Sequence, residues 1–197
     1  MADVTDPAFR RIIAKYGKPD VLWTEFVAAD GLCHPKGREK LLPLLQFSQT
    51  ERPIVAQIFS AKPEKAREAA MIIRELGFDG VDINMGCPDR NVEKPGAGAA
   101  LMKNSQLARE MIRAVKEGAG KMPVSVKTRL GYNQDELETW LPELLAEEPA
   151  AITIHFRTRK EMSKVAAHWP RAKRAVEIRD WFRVRSKNNF KTLLIGN

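Results

Sequence analysis

Strand-like and helix-like segments alternate along the whole chain, an order that points to a parallel sheet. Residues 20–27, 53–59, 80–86, 123–130, 151–157 and 192–197 read as strands. Helical patterns are expected at 5–16, 62–76, 104–118, 134–147 and 170–185. The clearest is 62–76. Pro63 suits a first helical position, Ala66, Ala69, Ala70, Ile73 and Leu76 share one face, and Gly77 is a good stop. The next helix starts near Asn104, turns Leu107, Met111 and Val115 inward, and stops at Gly118. No repeat shorter than the strand-helix unit and no low-complexity stretch is found.

Side-chain parity separates an open sheet from a closed barrel. Gln57 opposes Ile54, Ala56 and Ile58, while Asp82 and Asn84 oppose Val81, Ile83 and Met85. Ser125, Lys127 and Arg129 oppose Val124, Val126 and Thr128, and Thr153, His155 and Arg157 oppose Ile152, Ile154 and Phe156. Alternate residues point to opposite faces, so each strand has an apolar face for helices and a face with polar groups near its C-terminal end. An open parallel sheet is covered on both faces and reads apolar on both. Polar groups at the same end of four strands fit the mouth of a (β/α)8 TIM barrel, where such folds place their sites.

A chain of 197 residues can bury one domain, and its 44% hydrophobic and 29% charged content is ordinary for a soluble protein. No apolar run approaches the roughly 20 residues that span a bilayer, and the first residues lack the basic and apolar regions of a signal peptide. Two cysteines, Cys33 and Cys87, make no disulfide framework and suit a reducing cytoplasm. The net charge of +8 is uneven: residues 157–187 hold eleven basic and three acidic side chains, whereas residues 1–156 hold 21 basic and 22 acidic. A basic third on a neutral body suggests a polyanion such as nucleic acid, although a solvated helix face reads the same way.

Cys87 follows a strand and lies between Gly86 and Pro88, which force a turn. A thiol of ordinary pKa, about 8.5, is protonated at neutral pH and can donate a proton or act as a nucleophile. Cys33 has no comparable frame, and His34 beside it lacks further ligands at metal spacing. The run from Gly96 to Leu101 follows Lys94-Pro95 rather than a strand and lacks a third glycine, so it reads as a flexible loop for substrate approach rather than a dinucleotide fingerprint. Lys127 faces inward from an apolar strand and needs an anionic or electron-rich partner. A reduced flavin is one, with His155 and Gln57 completing a polar ring.

Asp82-Ile-Asn-Met-Gly-Cys-Pro88, followed by Gly96-Ala-Gly-Ala-Ala-Leu-Met102, resembles the signature of the tRNA-dihydrouridine synthases. The opening Met1 to Arg10, the run Val124 to Gly131 and Ile154 to Thr158 are similar to further motifs of that family, in the same order. The resemblance implies an FMN-dependent enzyme, recharged by NADPH, that reduces the C5=C6 bond of uridines in tRNA. Carried over, Cys87 is the general acid at C5, and Gln57, Lys127, His155, Met1 and Asn197 contact FMN. Asn84, Arg129 and Arg157 lie near a uracil flipped out of its stack, and the basic third grips the tRNA backbone. The implied protein is a cytoplasmic monomer with no metal and no membrane contact.

Phe156 stands where the family usually has a small residue, and Ala166-Ala-His168-Trp169 keeps only part of a family loop. Compared with the family, a strand before Met1 and the eighth strand and helical domain after Asn197 are missing. Residues 1–197 are thus expected to be one incomplete barrel domain with about six of eight strands, a fragment that binds FMN weakly or not at all on its own. Two other readings remain: another FMN barrel acting on a free pyrimidine, as in dihydroorotate dehydrogenases, and a non-catalytic RNA-binding module.

Overall fold

The computed structural model describes residues 4–185 and 191–196. Six strands, β1 (Leu22–Ala28), β2 (Ile54–Phe59), β3 (Gly80–Asn84), β4 (Val124–Arg129), β5 (Ala151–His155) and β6 (Leu193–Gly196), follow one another in order in a parallel sheet. Between and before them run α1 (Pro7–Tyr16), α2 (Ala29–Cys33), α3 (Pro35–Leu41), α4 (Pro63–Glu75), α5 (Arg90–Glu93), α6 (Ser105–Ala119), α7 (Leu137–Leu145) and α8 (Pro170–Arg185). The fold is α/β, with the consecutive βα order of a TIM barrel. Of the expected site residues, Met1 and Asn197 lie outside the described residues.

The chain divides into two compact units, one holding the described residues up to Ile83 with Ala114–Val124, the other Asn84–Arg113 with the described residues from Ser125 onward. In the first unit, Ile54, Ala56 and Ile58 of β2 and Ala66, Ala69, Ala70 and Ile73 of α4 are buried at 1% exposure or less. Each isoleucine removed from water contributes about 1.5–3 kcal/mol. Leu76, expected on the same face, is 39% exposed, because α4 ends at Glu75 and the chain swings out through Gly77 at φ +80. Gly118 is not the stop of α6. The helix runs on to Ala119 and ends at Gly120 with φ +64. Gly118 instead lets α6 lie against α4: a Cβ there would sit 2.2 Å from the Arg67 carbonyl oxygen. β1 carries a register shift between Trp23 and Phe26, so Thr24 and Glu25 are both buried.

In the second unit, β5 alternates as expected: Ile152, Ile154 and Phe156 are buried, while Thr153, His155 and Arg157 are half-buried. The apolar face of β4 lies under α7, where the Trp140 indole N–H donates to Thr128 Oγ1 at 2.9 Å. Leu137, Leu141, Leu144 and Leu145 of α7 complete that layer. α7 starts three residues later than expected because the Asp135 carboxylate accepts from Leu137 N and holds the preceding turn. Residues 98–103 form a 3₁₀ helix whose first five residues are buried, not an open loop. Among the described residues no helix is long and apolar enough to cross a membrane. No group of three His, Cys, Asp or Glu among them could hold a metal ion.

Candidate active site at the strand ends

β3 ends at Asn84, and the side chain of that residue folds back on the turn that follows. Asn84 Oδ1 accepts from Gly86 N at 3.1 Å and from Cys87 N at 2.9 Å. From β4, Arg129 Nε donates to Gly86 O at 2.8 Å. The peptide joining Gly86 to Cys87 is therefore held at both its polar atoms. The Cys87 carbonyl accepts from Ala99 N at 3.0 Å. That contact needs Gly98, which has φ +58 and whose Cβ would lie 2.8 Å from the Cys87 oxygen and 2.6 Å from Val92. The glycine read as an opening for substrate is thus a packing site for the cysteine turn. Cys87 is half-buried, and burial pushes its thiol pKa up; a hydrogen bond from the Asp89 backbone N–H and the Arg129 cation oppose the rise, and the Asp89 and Glu93 charges add to it. The thiol is protonated at neutral pH, as a proton donor must be.

β4 and β5 pair so that Arg129 lies beside His155 and Lys127 beside Thr153. Arg157 donates from Nη1 to His155 Nε2 at 2.9 Å and from Nε to the Val165 carbonyl at 2.6 Å. An imidazole nitrogen that accepts from a guanidinium carries no proton, so the His155 proton sits on Nδ1. Burial, then the cations of Arg129, Lys127 and Arg157, hold the His155 pKa at about 4, and the ring is neutral at physiological pH. Arg129 is buried, and burial lowers its pKa from the usual value. Its Nη1 donates to the carbonyls of Thr158 and Met162, both at 3.1 Å.

The second unit thus brings Cys87, Asn84, Lys127, Arg129, His155 and Arg157 to the C-terminal ends of its strands and the adjoining turns. Gln57 belongs to the first unit. Its Nε2 donates to Asp82 Oδ2 at 2.6 Å, and the two are register partners on β2 and β3. Sequence reading put Asp82 on the polar face but did not foresee that it fixes the Gln57 amide. It also missed the carbonyls of Thr158 and Met162, since main-chain acceptors leave no trace in side-chain pattern.

Several arginines of the basic segment after β5 are paired with carboxylates. The Arg159 guanidinium meets both Glu93 carboxylate oxygens and lies 5.2 Å from the centre of the Tyr132 ring, with Lys103 Nζ 4.5 Å from that same centre. Arg171 pairs with Asp135 and Glu138, Arg174 with Glu138 and Glu177, and Arg179 with Asp180. A groove of about 690 Å³ opens between the loops after β4 and β5, lined among others by Asp135, Thr158, Glu161, Lys164, His168 and Arg171. Cys87, Lys127 and His155 are not part of its lining.

Residues 1–184 match the protein family described as dihydrouridine synthase. The chain belongs to the dihydrouridine synthase family. It is 46% identical over 181 residues to the "Probable tRNA-dihydrouridine synthase" of Staphylococcus aureus (strain COL), a match covering 91% of this chain and 55% of the relative. It is 47% identical, with the same coverage of both chains, to the "Probable tRNA-dihydrouridine synthase 2" of Bacillus subtilis (strain 168). The chain spans about half the length of the curated relatives it matches.

Proposed function

We propose that this chain carries the catalytic centre of a tRNA-dihydrouridine synthase, a cytoplasmic monomer that reduces the C5=C6 bond of uridine in tRNA. FMN is the bound flavin of this reading and NADPH its reductant. The observation that carries it is the half-buried, protonated Cys87 on a turn fixed at its backbone, beside a cationic group of strand-end residues.

The charges acting on His155 are all cationic, and such a setting favours an anionic group. A reduced flavin fits that requirement, and Lys127 and His155 are the residues that would hold it. When bound, FMN supplies the hydride that reaches C6 of the uracil. Cys87 gives its proton to C5, so the double bond gains one hydride and one proton, and the thiolate is reprotonated from water. Asn84, on the cysteine turn, and Arg157, beside His155, are the residues offered to the uracil. The base must leave its stack to enter, at a cost of a few kcal/mol, and contacts to the tRNA backbone offset it.

The test is the dihydrouridine content of tRNA, read by nucleoside mass spectrometry, in cells that make the full-length protein as their sole synthase. Dihydrouridine is expected with the wild type and lost with Cys87→Ala. Full retention in Cys87→Ala rejects the assignment, and reduction of free pyrimidines without any tRNA gel shift at low salt replaces tRNA as the substrate.

A further inference from the structure

Arg129 is 8% exposed, and its Nε and Nη1 donate to main chain: Nε to Gly86 O, and Nη1 to Thr158 O and Met162 O. The first carbonyl belongs to the peptide that delivers Cys87. The other two belong to a turn after β5. We propose that Arg129 is a positioning residue, the bolt that fixes the Gly86–Cys87 peptide to the Thr158–Met162 turn and thereby sets where the Cys87 thiol stands. The inference deepens the function proposed above and rests on it for the thiol's role in the reaction.

Both ends of the bolt are prepared for it. At the cysteine end, Asn84 holds the N–H of the same peptide whose carbonyl Arg129 takes, and Ala99 holds the next carbonyl. The backbone before and after the thiol is therefore fixed, and with Arg129 removed the Gly86 carbonyl loses a charge-assisted bond. At the other end, Thr158 and Glu161 cap each other: Thr158 N donates to Glu161 Oε2 at 2.7 Å, and Glu161 N to Thr158 Oγ1 at 3.2 Å. Met162 then takes the left-handed conformation, φ +54, and its carbonyl is an acceptor for Arg129. The His168 ring pairs with Glu161 Oε1 at 2.8 Å, extending the connection to the start of α8.

A lysine cannot replace this arrangement. The guanidinium separates its donors in a rigid fork and reaches two turns at once, whereas an ammonium concentrates its donors at one point. Lys127, two residues away on the same strand, carries charge at the strand ends but has no such fork. Arg129 also sits close enough to Cys87 and His155 to act on both electrostatically, so its loss reaches the thiol by position and by charge.

The test compares wild type, Arg129→Lys and Glu161→Ala in the full chain by amide hydrogen exchange, with iodoacetamide labelling of Cys87 measured against Cys33 in the same sample. In Arg129→Lys, exchange at 85–89 and at 158–162 is expected to rise about tenfold, the scale of one lost charge-assisted hydrogen bond. Exchange across α4 stays as in wild type, and the Cys87 to Cys33 labelling ratio rises. Unchanged exchange at 85–89, or a rise shared equally by α4, overturns the proposal. If Arg129→Lys does not fold, Glu161→Ala decides. Loosening the far turn is expected to raise exchange at 85–89 by about two- to threefold through the bolt, and no change there overturns it. None of these readouts involves uridine, so a chain that proves to reduce no tRNA sinks the function while leaving the bolt standing.

Discussion

At the ends of β4 and β5, Lys127, Arg129 and Arg157 surround a neutral imidazole, and every charge acting on that ring is positive. Between α7 and α8, the two cations Arg171 and Arg174 are paired with three carboxylates, Asp135, Glu138 and Glu177. The first group lies in a half-buried place where screening by salt is weak. The second is an exposed network whose field largely cancels. A count of eleven basic residues in 157–187 therefore overstates what is left to attract an anion.

The sharpest way to break this contrast is at the thiol. Cys87→Ala is expected to lower dihydrouridine formation at least about 100-fold, the usual scale for losing a general acid. Cys33→Ala, in a helix end where its thiol donates to the Lys65 carbonyl, is expected to stay near wild type in the same nucleoside assay. Next in size, Lys127→Ala is expected to weaken FMN binding about tenfold in a fluorescence titration, as for a lost hydrogen bond to a charged group, while Arg174→Ala leaves it unchanged. Equal effects of the two would erase the distinction between the strand ends and the helix surface.

A smaller effect concerns pH. His155 has a folded pKa of about 4, below its unfolded value near 6.5, so between those values the unfolded chain binds more protons. Stability contributed by this group is full above about pH 6.5 and falls as pH drops toward 4. Urea midpoints measured across that window are expected to decline less steeply in His155→Gln than in wild type, and parallel slopes would contradict the depressed pKa. Smallest of all, Glu138→Gln is expected to cost no more than about 1 kcal/mol in thermal unfolding, as for an exposed ion pair.

The parity of β5 was fully legible, because Ile152 and Ile154 on one face and Thr153 and His155 on the other leave only one way to seat the strand against helices. Pro63 and Gly77 located α4 to within one residue at each end, and Gly86 and Pro88 placed Cys87 on a turn. Leu76 misled because an apolar residue at the right spacing falls past the helix end. α2 and α3 escaped because Gly31 and Gly37 interrupt the apolar periodicity of short helices. Asn84 and Arg129 were read as lying near a substrate, and both are buried polar side chains. What pattern could not supply is that their listening partners are main-chain atoms of Gly86, Cys87, Thr158 and Met162, brought near only by folding.

α1 illustrates a different kind of attachment. Its one buried side chain is Arg10, which meets the fully buried Glu51 at 2.8 Å and the carbonyls of Thr5 and Gln46, while Phe9, Ile12 and Tyr16 lie outside. A helix moored by a charge rather than by grease does not slacken on cooling, when apolar association weakens. Warming lightens the dehydration penalty of such a pair. The first helix accordingly has a temperature response unlike that of α4, whose buried side chains, Ala66, Ala69, Ala70 and Ile73, are aliphatic.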